Sequence, residues 1–376
     1  SDRDRHLIHL GTETTIGDPA TQDKMFIRFS DQEDIEDYQP TSVNTAGTFR
    51  IDSGSDIRGA VKGKDYLFIG TDTSAYIMQF VGPPFTFSIR QVGSNCGTIG
   101  QHAMVFVDTN VYWMSDEGGF FVYDGSVKKM PCLVEDFVFK TTGSNPGLNF
   151  NAGQQVYAAH NSLFNEIIWF YPDASSNFVN KIVTYNYLDS SPKRPIWTTG
   201  TLPRAAWQDS AVFDKPHATC YKPADDASSD VIGNTDGSTI YYQQETGTDQ
   251  INAGGAVTAV IGNIISGDFD ITQRRSNTGQ TVGMPDIRGD GEYIMRISRF
   301  IPDFISQTGS TAVKFKTRLY PNSSETTTSF TCDSTTTKKD VRVRARQIAL
   351  EVANTGIAED WKLGTFRLDI HPGGRR

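Results

Sequence analysis

The sequence predicts an all-β chain built from about six small antiparallel sheets. Three observations carry this. The segment KDYLFIGTDTSAYIMQFVG, residues 64–82, is echoed by HAMVFVDTNVYWMSDEGGFFVYDG, residues 102–125, at an offset of 36 to 37 residues. Both read as strand, polar turn, strand, glycine: Tyr66-Leu67-Phe68-Ile69 answers to Ala103-Met104-Val105-Phe106, and Tyr76-Ile77-Met78 to Tyr112-Trp113-Met114. The composition favours strands and turns, with 14 Tyr, 23 Phe and 34 Gly in 376 residues. Finally, strands such as 111–114 and 167–171 are apolar on both faces, whereas 182–187 mixes polar and apolar positions. That gradient is expected where each sheet runs from a crowded centre to a wet rim. A self-similar unit of this size marks a β-propeller-like ring.

The elements follow in order. Residues 1–50 give two strands, 6–10 and 25–29, as a partial first sheet, incomplete at its N-terminus because no strand fits before Asp4. Asp31-Gln32-Glu33-Asp34 is expected to cap one helical turn. Blade-like units then span about 57–92, 99–133, 155–199 and 204–272, the last closing with a strand pair at 257–261 and 268–272. Residues 273–291 read as a loop rich in Gly, Asn and Asp. Residues 292–376 form a terminal four-stranded sheet with strands at 293–300, 312–320, 341–352 and 362–370, either the last blade or a small β domain. The chain starts at Ser1 without Met, and we expect it to be the processed or ordered part of something longer.

Charge separates the two ends. Residues 288–376 hold 15 Lys+Arg against 10 Asp+Glu, so this segment is +5 and the first 287 residues are −14. An acidic body argues against a tight grip on nucleic acid, which needs a cationic footprint, but not against a surface that DNA slides past. Cys96, Cys132, Cys220 and Cys332 are scattered and read as free, mostly buried thiols. No apolar run reaches the length of a membrane span and no secretory signal is visible, so this chain is not expected to insert into a membrane.

No catalytic, cofactor-binding or metal-binding residue is expected. His6 and His9 form an HxxH, but their flanks predict a strand, where residues three apart face opposite ways. His102, His160, His217 and His371 are isolated. Asp230, Asn234, Asp236 and Gly237 faintly resemble a calcium loop, yet Ile232 breaks the alternate ligand positions, leaving a solvated turn. Asp116 and Glu117 share a hairpin, and glycoside hydrolysis needs two carboxylates facing across a cleft. Arg342, Arg344 and Arg346 alternate along a strand and should project from one face, as contacts for phosphate or an acidic partner or as a solvated outer strand guarded against edge pairing.

Several stretches carry a resemblance: Asp4-Arg5-His6-Leu7-Ile8, Arg28-Phe29-Ser30-Asp31-Gln32-Glu33-Asp34, Thr45-Ala46-Gly47, Phe68-Ile69-Gly70-Thr71-Asp72-Thr73, Phe80-Val81-Gly82-Pro83-Pro84-Phe85, and the ending Trp361-Lys362-Leu363-Gly364-Thr365-Phe366-Arg367-Leu368-Asp369-Ile370. With these the chain resembles the tail hub or nozzle proteins of short-tailed bacteriophages, also called packaged-DNA stabilisation proteins. The resemblance covers both ends best and the middle only as a pattern of strands. It implies a propeller-containing subunit of the virion tail, repeated as a homohexameric ring below the portal and adaptor and above distal tail proteins. Such a ring prolongs the channel, helps retain packaged genome, and conducts double-stranded DNA during ejection without reading its sequence. The resemblance transfers no catalytic residue, and the chain is expected not to be an enzyme. The alternative is a monomeric propeller that binds a host glycan or protein as a receptor-binding module; third comes a carbohydrate-active enzyme.

Overall fold

A computed structural model describes residues 5–143, 145–210, 213–221, 239–251, 257–271 and 293–374. The chain is nearly all β and divides into two compact units, 1–245 and 246–376.

Among the described residues the first unit is a propeller-like series of five antiparallel meanders, each strand pairing with its neighbour in sequence. The first sheet contains β1 (Ile8–Leu10), β2 (Phe26–Phe29) and β3 (Gly47–Arg50); the second, β4 (Ile57–Lys62), β5 (Leu67–Thr71), β6 (Ser74–Gly82) and β7 (Thr86–Ser94). The third contains β8 (Met104–Val107), β9 (Asn110–Met114), β10 (Phe120–Tyr123) and β11 (Val127–Lys129); the fourth, β12 (Tyr157–Asn161), β13 (Glu166–Tyr171), β14 (Lys181–Asn186) and β15 (Trp197–Thr201). The fifth has β16 (Ala206–Gln208), β17 (His217–Tyr221) and β18 (Thr239–Gln243).

Successive sheets share cores, which explains strands that are apolar on both faces. Ile27, Phe29, Ile69 and Met78 join the first sheet to the second. Phe68, Ile77 and Trp113 join the second to the third, Phe120, Ile167 and Trp169 the third to the fourth, and Phe170 with Trp207 the fourth to the fifth. Three indoles also bind across these junctions: Trp113 Nε1 donates to the Cys96 carbonyl (2.8 Å), Trp169 to Ala103 (3.1 Å) and Trp207 to His160 (3.0 Å). A buried indole needs such an acceptor, so each tryptophan fixes both packing and orientation. Close approach has its own requirement at Gly59, where a Cβ would lie 2.6 Å from the Gln101 carbonyl oxygen.

The echo between 64–82 and 102–125 proves to be displaced by one strand. Residues 67–71 and 74–82 are the second and third strands of their sheet, while 104–107 and 110–114 are the first and second of theirs. Every hairpin in a meander repeats the same apolar-turn-apolar pattern, so a sequence match finds hairpins without fixing which one. Asp31 to Asp34 form no helical turn; the Asp31 carboxylate instead accepts from the Thr45 N–H (2.7 Å) and hydroxyl.

The second unit is a two-layered β structure. One sheet has the order β21-β27-β24-β25, from β21 (Asn263–Ile265), β24 (Thr311–Arg318), β25 (Thr326–Cys332) and β27 (Gln347–Asn354). The other is β26-β22-β29, from β22 (Met295–Ile301), β26 (Lys339–Ala345) and β29 (Arg367–Pro372). Two short pairs complete it: β19 (Asp249–Ile251) with β20 (Val257–Ala259), and β23 (Phe304–Thr308) with β28 (Asp360–Leu363). Met295, Ile297, Phe300, Phe315, Val343 and Leu350 fill the core between layers. The four strands expected over 292–376 therefore fall in more than one sheet, and 341–352 is two strands that part at Arg346. The strand pair expected to close the fourth blade also belongs here: β20 pairs with β19, and Phe269 bridges to Ile348. Residues 273–291 and the aspartate-rich turn of Asp230, Asn234, Asp236 and Gly237 lie outside the described residues.

Candidate anion-facing surface

Alternation along β22, β26 and β29 sends one set of side chains into the core and the other outward. On β26, Val341, Val343 and Ala345 are buried while Asp340, Arg342 and Arg344 are exposed. On β29, Leu368 and Ile370 pack inward, leaving Arg367, Asp369 and His371 on the outer face. On β22 a bulge between Ile297 and Arg299 resets the phase, so that Met295, Ile297 and Phe300 are all buried while Arg296 and Arg299 are not.

Register groups these outward side chains into two rows. Asp340, Arg299 and Asp369 lie across from one another, and Arg299 bridges both acids at 3.3 Å. Two residues along β29, three along β22 and four along β26, His371, Arg296 and Arg344 form the second row, with no acid in it. Among the described residues Arg296, Arg342, Arg344 and Arg367 make no ion pair, although like charges placed directly opposite destabilise a sheet. An anionic partner would relieve this.

The other sheet shows the opposite condition. Lys314 and Lys316 on β24 both reach Glu351 on β27 at 2.8 Å, and Arg318 holds Asp268 and Glu325 at 2.9 Å. Glu351 is buried, and hydrogen bonds from Lys314 and then Lys316 hold its carboxyl below the usual glutamate range.

Of the three expected contact residues, Arg342 and Arg344 share the face and Arg346 leaves it. Arg346 follows the end of β26, its N–H donates to the Arg318 carbonyl (3.2 Å), and its guanidinium lies 5.9 Å from the Tyr320 ring centre. Arg296, Arg367 and His371 were missed because cross-strand register, not spacing, brings them to the same surface. Their alternation with Met295, Ile297, Leu368 and Ile370 was the available signal.

The remaining sequence candidates are dispersed. His6 is buried among Phe29, Phe80 and Phe87, whereas His9 bonds the Tyr38 hydroxyl at 2.9 Å. Asp116 pairs with Arg58, and the adjacent Glu117 N–H donates to the Ser115 hydroxyl oxygen. Cys96, Cys220 and Cys332 are buried thiols and Cys132 is half-buried; desolvation pushes Cys96 up to about 11. No helix among the described residues is long and apolar enough to cross a membrane.

No family model matches the chain, and no curated protein does. Solved structures align with it at low similarity. A glycoside hydrolase is 9% identical over 92% of this chain and 94% of its own, with a TM-score of 0.24. An exo-β-1,3-galactanase from Phanerochaete chrysosporium, solved with β-1,3-galactotriose, is 10% identical over 97% and 99%, with a TM-score of 0.26. The same galactanase with galactose gives 9% and 0.23. These scores assign no substrate or activity. The expectation that the chain is not an enzyme is withdrawn: the solved structures aligned with it are named as a glycoside hydrolase and a galactanase.

Proposed function

We propose that this chain is a ring-forming structural subunit of a bacteriophage tail, a hub or nozzle, in which the basic face of the second unit docks on the acidic first unit of the next copy. The observation that carries the reading is the row of Arg344, Arg296 and His371, with Arg342 beside it and no acid of its own, while Arg367 lies on the same face beyond the row of Asp340, Arg299 and Asp369. Complementary charge is available within the same chain: residues 1–245 hold 18 Lys+Arg against 30 Asp+Glu, while 246–376 hold 17 against 14. Two different surfaces that complement each other make a heterologous contact, which closes into a ring when the rotation permits. The motifs at the two ends of the chain supply the phage setting. In that setting an acidic channel wall lets double-stranded DNA pass, since tight counterion-releasing contacts would act as brakes. Native mass spectrometry of the purified chain, with its position in a virion preparation, tests this. A ring-sized species that copurifies with portal and adaptor is expected; a monomer absent from tails refutes it.

A second reading, a propeller that holds a host glycan or protein, is favoured by a cleft of about 440 Å³ between the first two sheets. Ile8, Leu10, Met78, Phe80 and Phe87 line it, with Lys62 and Lys64 also present. Retention of a monomer on a glycan array would select this reading.

A further inference from the structure

We propose that Arg58, Asp116, Phe150, Asn151 and Gln154 form a binding site for a neutral saccharide in a cleft of the first unit. The cleft holds about 400 Å³ and lies between β4, the β9–β10 turn and a 3-10 helix, Phe150–Gln155. The inference rests on the glycan form of the second reading and deepens it. It names the ligand class, and it seats the ligand away from the cleft between the first two sheets.

Local structure aims each group. β4 carries a bulge between Ile57 and Gly59, so Arg58 is the extra residue and its side chain turns out of the second sheet towards the third. There Nη1 donates to the Thr98 carbonyl at 3.0 Å and pairs with Asp116 on the β9–β10 turn. Each of these two side chains is 24% exposed, so the guanidinium plane is held. Its other edge, Nε and Nη2, makes no hydrogen bond among the described residues and offers two parallel donors.

The facing wall is the 3-10 helix. It comes close because Gly100 has no side chain: a Cβ there would lie 2.7 Å from the Gly153 carbonyl oxygen. Asn149 caps the helix by accepting from the Asn151 N–H at 3.1 Å. Phe150 is thereby left 48% exposed, beside the exposed amides of Asn151 and Gln154, which make no side-chain hydrogen bond among the described residues.

This set of groups matches one ligand chemistry. A sugar ring needs donors and acceptors for its hydroxyls and an apolar surface for its C–H face. Each amide supplies both a donor and an acceptor, the guanidinium edge supplies two donors, and the phenyl ring supplies the platform. Charge selects within the class. Arg58 is already matched by Asp116, so a sulfate, phosphate or sialic carboxylate finds no free cation in the cleft and meets a repelling acid. A neutral sugar meets neither penalty. There is room for a second unit, because Arg58 also lines a cavity of about 380 Å³ with the exposed Gln101 and His102.

The experiment is retention of the full chain on an array of neutral, sialylated and sulfated oligosaccharides, read at graded protein concentrations. The unsubstituted chain is expected to hold neutral oligosaccharides. Phe150→Ala and the Asn151→Ala, Gln154→Ala double variant should each weaken that binding about tenfold or more while Tm moves by less than about 2 °C, because all three side chains are exposed. Binding that survives in either variant overturns the inference and leaves the second reading standing; a loss in Lys62→Ala, Lys64→Ala then locates the glycan between the first two sheets. Retention of acidic glycans alone has the same consequence. A chain that holds no glycan of any kind overturns the inference and the glycan form of the second reading together.

Discussion

The two layers of the second unit both carry outward cations and treat them differently. On the β21-β27-β24-β25 sheet, Lys314, Lys316 and Arg318 are matched by Glu351, Glu325 and Asp268. On the β26-β22-β29 sheet, Arg299 is matched, and among the described residues Arg296, Arg342, Arg344 and Arg367 are left without acids. Both are strands with the same alternation and one shared core. What differs is compensation: one sheet's cations find acids within the chain, and among the described residues most of the other's do not. A neutralised face contributes to the stability of the fold, whereas an uncompensated face detracts slightly from it and is available for a partner.

Substitutions and a change of pH sharpen that contrast. The largest expected effect on stability is Glu351→Ala, which strips both lysines of a buried counter-charge; about 2–3 kcal/mol should be lost in urea unfolding, less than a fully buried pair because the lysines are part-exposed. Arg342→Ala should change the same measurement by less than about 0.5 kcal/mol. If the two substitutions cost the same, the distinction between faces fails.

Acidification should act next, and on the matched sheet. The Glu351 carboxyl titrates below its usual value of 4.5 in the fold, so its contribution is present above that value and is lost as pH falls through the depressed one. Glu166 works in the opposite sense. Its raised value of about 7 means that its ionisation costs stability as pH rises from about 4.5 to 7. Unfolding followed against pH should therefore show the Glu166→Gln chain gaining on its parent across that window; parallel curves would contradict a carboxyl desolvated by the fold.

The smallest effect has an unusual sign. Arg344→Ser removes a like-charge neighbour from Arg296, and the isolated chain should become more stable by about 0.2–1 kcal/mol. A destabilisation of that size would mean the arginine row is structural.

How much of this was legible depended on whether a feature lay within a strand or between strands. The all-β class and the sheet series were visible because strands such as β9 and β13 are apolar on both faces, which only a stack of sheets accommodates. The strand identity within each sheet was not, since any two successive hairpins look alike. The division of 341–352 into two strands had a trace in sequence: Arg346-Gln347 places two polar residues together and breaks the alternation. Arg342 and Arg344 were found by spacing, but Arg296 and His371 needed register, which pairing partners far along the chain decide. The Asn161–Glu245 hydrogen bond was invisible because Glu245 lies 84 residues beyond Asn161 and meets it only when two sheets pack.

The central claim is that the uncompensated face docks on another copy of the chain. Native mass spectrometry of the parent and of the Arg342→Glu, Arg344→Glu double variant, at low and high ionic strength, tests it most directly. The account predicts a ring-sized species for the parent that dissociates as salt screens the contact, and a folded monomer for the double variant under both conditions. A double variant that assembles as its parent does, or a parent that is monomeric at low salt, would contradict it.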